Sequence, residues 1–130
     1  MSTPIKTFTF EQSAHYAFTE GDCWVLARAI CEDPTYELVT ISSNGGYWFH
    51  AGARRADGTI LDIDGIWTER NWMNHWGEKL ENAGCFSPLF LGEWDPLVFD
   101  KEAAAVDLQP SFYVSNFVDT YRSRILELLR

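Results

Sequence analysis

Between two runs of strand-forming residues lies Arg55-Ala56-Asp57-Gly58-Thr59, and this segment constrains the chain more than any other. Asp-Gly suits a three-residue loop, a type I turn followed by Gly58 in the left-handed region. With Ala56, Asp57 and Gly58 as the loop, Arg55 faces Thr59, Gly52 faces Asp62 and His50 faces Asp64. Cross-strand partners point to one face, so His50, Asp62 and Asp64 share it, with Asp62 one diagonal step from His50. A two-residue loop would shift the pairing by one and turn both carboxylates away from the imidazole.

The other elements follow from pattern. Residues 11–18 read as a short helix. Gly21 and Asp22 form a stop-and-start signal, and Asp22 is a good N-cap for a helix over Cys23 to Cys31. Trp24, Ala27, Ile30 and Cys31 share its apolar face, and the helix ends near Asp33 because Pro34 disfavours helical dihedrals before it. Tyr36 to Ser42 reads as a strand, Asn44-Gly45-Gly46 as a turn, and Tyr47 to Arg55 with Thr59 to Asp64 as the hairpin. Asp64 with Gly65 is an alternative turn. Trp67 to Glu81 reads as a helix capped by Thr68, with Trp72, Met73, Trp76 and Leu80 inward. Phe86 to Leu91 reads as a strand and 92–110 as mixed. Ser111 to Arg130 is the clearest helix, with Val114, Phe117, Val118, Tyr121, Ile125, Leu128 and Leu129 on one stripe.

The chain of 130 residues, 46% apolar and 22% charged, suits one α+β domain spanning residues 1–130 and able to bury its own core. No internal repeat, low-complexity tract or linker divides it. The formal charge of −9 disfavours phosphate backbones and anionic membranes, so no nucleic acid and no membrane are expected as partners. Met1 to Phe10 carries one Lys and no apolar core, and does not read as a secretory signal. Cys23, Cys31 and Cys85 are too few and too widely spaced for a disulfide framework, so a reducing compartment, the cytoplasm, is expected. His15, His50 and His75 are scattered, and neither a metal nor an organic cofactor is implied.

The chemistry-bearing constellation starts at Gly21-Asp22-Cys23-Trp24-Val25-Leu26-Ala27. Cys23 falls in the first helical turn, where unpaired N–H groups and the helix dipole favour thiolate over thiol. Beside Asp62 the His50 tautomer is fixed and its imidazolium stabilised, and it takes the thiol proton if the helix tip packs against that sheet face. Cysteine on a helix N-terminus, histidine on a strand and a polar residue on the next strand is the order of papain-like cysteine hydrolases, which the chain resembles. Gly-x-Cys-Trp-x-x-Ala resembles the nucleophile motif of transglutaminase-like proteins. His50 to Asp62 resembles the NlpC-type amidase segment His-x-Gly-x-x-x-x-Asp-Gly-x-x-x-polar, in which the third catalytic residue falls twelve positions after the histidine, as Asp62 does here.

The resemblance covers about residues 20–65. It implies a papain-like or transglutaminase-like core, with a Cys-bearing helix on a small antiparallel sheet. It also implies Cys23 as nucleophile, His50 as general base and Asp62 as orienter, with Asp64 as the other candidate. The activity implied is a cysteine-dependent amide hydrolase or acyl transferase acting on a protein or peptide: a peptidase, deamidase or transglutaminase-like enzyme. His50 follows Cys23 by 27 residues, a short spacing for the superfamily, and Ala17 stands where papain has its oxyanion Gln. The Cys23 backbone N–H is one oxyanion donor and the second is unassigned; Trp48, on the His50 face, reads as packing, with its indole N–H as the alternative donor.

Rival readings use the same fold without catalysis. The missing oxyanion Gln, the short chain and the −9 charge suit a small acidic inhibitor or immunity-type protein that covers a basic protein surface. Glu78, Glu81, Glu93, Asp95 and Asp100 form the acidic stretch where such a partner is sought. An assembly subunit with a vestigial site, using its aromatics at an interface, is the third reading. His15 reads as a surface residue, His75 as a core-edge residue, and Trp67, Trp72 and Trp76 as core.

Overall fold

The computed structural model describes residues 2–19, 22–43, 48–85, 88–105 and 114–130, with the backbone alone at 48 and 114–116. Expectations that rest on Gly21, the Asn44-Gly45-Gly46 turn, Tyr47, Phe86, Ser87, residues 106–113 or the side chains of Trp48 and Val114 fall outside these residues.

The hairpin forms in the expected register. Strand β3 (Trp48–Arg54) pairs with β4 (Ile60–Asp62) through Ala53↔Leu61 and Arg54↔Ile60. Gly58 N–H donates to the Arg55 carbonyl at 2.9 Å, and Gly58 has φ +89°, a left-handed conformation that a side chain at this position would strain. Asp57 Oδ1 accepts from the Thr59 N–H at 2.9 Å and locks the turn. Strand β2 (Glu37–Ser43) pairs with β3 on its other side, with a bulge where Ile41↔His50 gives way to Ser42↔Trp48. Bulges re-aim side chains, and this one lies beside His50.

The sheet is larger than the sequence suggests. Strands β1 (Lys6–Thr7), β5 (Gly65–Trp67) and β6 (Leu89–Trp94) complete a six-stranded antiparallel sheet in the order β1-β5-β4-β3-β2-β6. Trp67, expected to open a helix, closes β5 instead. Helix α3 (Glu69–Asn82) begins after Thr68, whose hydroxyl accepts from the Asn71 N–H at 3.2 Å. Within residues 92–110, β6 runs on to Trp94 and α4 (Pro96–Ala105) follows. Asp95 Oδ1 accepts from the Leu97 N–H at 2.9 Å and Pro96 stands at the first helical position.

Both faces of the sheet are covered, and successive residues of β2, Leu38 through Ile41, are all buried. One face carries α1 (Gln12–Ala17), α2 (Cys23–Ile30), α4 and, packed on α2, α5 (Val114–Leu128). Its core includes Phe8, Phe18, Leu26, Ile30, Leu38, Ala53, Leu61, Phe99, Val118 and Ile125. The other face carries α3 and the cluster Val39, Ile41, Ile60, Trp67, Trp72 and Trp76. Along α5 the expected stripe holds at Val118, Tyr121 and Ile125, whereas Leu128 is exposed near the frayed helix end. No helix among the described residues is long and apolar enough to cross a membrane.

Candidate functional site

Alternation along β3 and β4 sends His50, Gly52, Ile60 and Asp62 to the α3 face, and Ala51, Ala53, Leu61 and Ile63 to the α2 face. Gly52 is required here by space: a Cβ would lie 2.8 Å from Ile60 Cγ2 and 2.9 Å from the Trp72 ring. That clearance lets Trp72 reach the carboxylate. His50 Nε2 stands 3.0 Å from Asp62 Oδ2, which also accepts from Trp72 Nε1 at 2.9 Å. Asp62 Oδ1 accepts from Trp67 Nε1 at 2.9 Å, from Asp64 N–H at 2.9 Å and from Gly65 N–H at 3.2 Å. The last two bonds fold the chain from β4 into β5.

Asp62 is only 3% exposed. Burial alone would raise its pKa, but the bond from His50, the His50 charge and the two indole donors outweigh burial and hold it below the usual carboxylate range. A carboxylate accepts only, so in the neutral form of His50 the proton resides on Nε2 and the lone pair on Nδ1.

Cys23 is the first residue of α2 and packs in the aliphatic cluster with Ala51, Ala53, Leu61 and Ile63. The thiol–imidazole contact was made conditional on a helix tip packed against the His50 face; the helix covers the opposite one. The reason is parity, since the small residues that admit a helix, Ala51 and Ala53, alternate with His50 and Gly52. Thiol and imidazole nevertheless meet where the β3–β4 ladder stops at Ala53↔Leu61 and the strands part. Cys23 and Asp62 line one tight crevice, too narrow to hold a water molecule, with Phe18, Leu26, Ala51 and Ile63. Burial pulls the His50 pKa down. The charge on Cys23, the Asp62 hydrogen bond, hydrogen bonding with Cys23 and the Asp62 charge prevail and push it up to about 9. Nδ1 has no partner in ordinary hydrogen-bond geometry, and with Nε2 committed to Asp62 it is the nitrogen left for the thiol.

The site is closed. His50 is 0% exposed and Cys23 7%. The imidazole stacks on Trp76 with ring centroids 4.0 Å apart and meets Trp72 at 5.7 Å. Lys79 Nζ lies 4.7 Å from the Trp76 ring centroid. Among the described residues, the buried polar side-chain atoms without a partner are Trp24 Nε1, His50 Nδ1, His75 Nε2 and Trp76 Nε1.

The structure separates the two candidate carboxylates. Asp64 Oδ1 lies 2.8 Å from His15 Nδ1, and His15 Nε2 accepts from the Phe10 N–H at 3.1 Å. Asp64 therefore serves His15, which is half-buried and bonded on both nitrogens rather than a plain surface residue. His75 lies against Trp67 with centroids 4.7 Å apart, a core-edge position. Sequence reasoning placed Trp67, Trp72 and Trp76 in the core but missed their polar contacts. The contacts missed are those of Trp67 and Trp72 with Asp62, and their only signal was two indoles within ten residues of a strand-borne aspartate. No group of three or more His, Cys, Asp or Glu among the described residues is arranged to hold a metal ion. Compared with protein-family models, with curated proteins and with solved structures, the chain matches none.

Proposed function

We propose that the chain is a cysteine-dependent amide hydrolase or acyl transferase with a papain-like arrangement of Cys23, His50 and Asp62. The observation that carries this reading is the buried imidazole held by Asp62 through Nε2 and raised toward its charged form by Cys23. His50 Nδ1 takes the Cys23 proton, and Asp62 stabilises the resulting imidazolium. The thiolate attacks an amide carbonyl of a protein or peptide. The Cys23 backbone N–H, at the opening of α2, faces the developing oxyanion. Nδ1–H then protonates the leaving amine and a thioester remains on Cys23. Water, or a second amine, resolves it with Nδ1 as base. Peptide cleavage, side-chain deamidation and transamidation share this first half.

Iodoacetamide labelling mapped by mass spectrometry tests the reading. Cys23 reacts at least about tenfold faster than Cys31, whose thiol burial pushes up to about 12, and His50→Ala removes the advantage. Equal, slow labelling of both would overturn it.

The complete burial of His50 favours a second reading, a binding protein on the same fold that covers a basic surface. Glu78, Glu81 and Asp95 are exposed for that contact. Under it Cys23→Ala retains the biological effect, while charge reversal at these three positions abolishes it.

A further inference from the structure

Strand β6 ends the sheet, and among the described residues β2 is its sole strand partner. Every second residue of β6 therefore turns its N–H and C=O outward, unpaired by any strand. Sheet edges are usually blunted by Lys, Pro, a bulge or brevity. The opposite edge, β1, is two residues long. β6 is six residues long, has neither Lys nor Pro, and pairs unbroken from Leu38↔Trp94 to Ser43↔Leu89. Its one charge, Glu93, is bound to Arg54 at 2.9 Å.

A groove of about 500 Å³ lies beside this edge, between α3 and the start of β6. Met73, Leu80, Pro88 and Leu89 give it an apolar lining, and Glu78 and Glu81 stand exposed in its wall. Among the described residues no Lys or Arg forms an ion pair with either acid. Their neighbour Lys79 lies over the Trp76 ring instead. Leu89 and Leu91 pack on the Trp72–Trp76 cluster and Trp94 on the opposite core, so alternation puts Phe90, 52% exposed, on the other face. A strand laid along β6 would send alternate side chains toward Glu78 and Glu81 and the rest toward Phe90. Side chains three apart on a helix are about 5–6 Å from one another, and those two apart on a strand about 7 Å, so two cations can match the two acids. Lys or Arg stems would cover Met73 and Leu80 while their charges reach the rim. The −9 charge turns a second copy of the chain away.

We propose that β6 and this groove bind an extended basic peptide, which adds to the sheet as a further strand with Lys or Arg side chains on Glu78 and Glu81. This rests on the reading of a basic partner above and uses neither Cys23 nor His50. Main-chain hydrogen bonds to the β6 edge supply affinity, and the alternating side chains supply the choice of sequence.

The probe is a fluorescein-labelled peptide in which four Lys alternate with four Val, read by anisotropy. Its isomer, four Lys followed by four Val, has the same charge but cannot present every cation on one strand face. The alternating peptide is expected to bind at least about tenfold more tightly than the isomer. Glu78→Gln with Glu81→Gln weakens that binding at least about tenfold, whereas Glu102→Gln with Glu127→Gln, both exposed on α4 and α5, changes it less than about twofold. Hydrogen exchange followed by nuclear magnetic resonance then shows alternate amides of β6 newly protected in the complex. Equal binding of the isomers, equal losses in the two double variants, or binding without that protection overturns the proposal. A dimer through β6 that excludes the peptide overturns it too. Should no peptide bind, the proposal falls, and cytochrome c, a folded basic protein, decides whether the basic-partner reading falls with it. That reading stands if cytochrome c binds and Glu78→Lys, Glu81→Lys and Asp95→Lys together abolish the binding; any other result takes both down.

Discussion

The two faces of the sheet are held together by different forces. On the α2 side, Phe18, Leu26, Ile30, Leu61 and Ile125 interlock with little directional demand, and the stabilising term is apolar area removed from water. On the α3 side, Trp67, Trp72 and His50 all converge on the single carboxylate of Asp62, together with two backbone N–H groups. The first face spreads its stability over many side chains. The second concentrates it on one, and that one touches the imidazole of the candidate site. Density of polar contact, more than burial, marks the side of the molecule that holds the candidate site's imidazole.

The contrast is sharpest at Asp62 itself. Asp62→Ala strands five donors and is expected to cost about 3–5 kcal/mol in urea unfolding, the scale for breaking a buried charged pair. A smaller loss, comparable to a single core methylene, would erase the distinction between the faces. Next in size is a pH effect confined to the α3 side. His50 is raised from 6.5 to about 9 in the folded chain, so the stability its protonation supplies is complete below about pH 6.5. That stability is lost as the pH climbs through about 9. Cys23→Ala should flatten this alkaline decline, because the charge on Cys23 is the largest influence raising His50. A decline that persists unchanged in Cys23→Ala would separate the sulfur from the imidazole. The smallest effect belongs to the aliphatic face: Ile125→Val is expected to cost about 0.5–1.5 kcal/mol by thermal melting, with no change in its pH dependence.

What was readable in the sequence was local. Asp57-Gly58 fixes its own turn, and the turn fixes the parity that brings Asp62 to His50. Thr68 announces α3, and the apolar stripe announces α5. Strands β1 and β5 were not readable, because two or three residues carry no periodicity and Asp64-Gly65 imitates a loop. Helix α4 was missed although Asp95-Pro96 is a helix-opening pair. Leu97 and Val98 point outward beside the buried Phe99 and blur the pattern. The indole partners of Asp62 and the face chosen by α2 were illegible for another reason. Both depend on which elements pack together, and that is settled by the whole sheet rather than by any window of sequence.

Cys23 belongs to the aliphatic layer and His50 to the aromatic one, and they meet only across the seam where β3 and β4 part. The distance from sulfur to imidazole is therefore set by how α2 seats on the sheet, and α5 in turn presses on α2. A void opened beneath α2, far from any reacting atom, would let the helix settle and move the sulfur with it. On the proposed reading, thiol reactivity would work as a strain gauge for a core that takes no part in the chemistry.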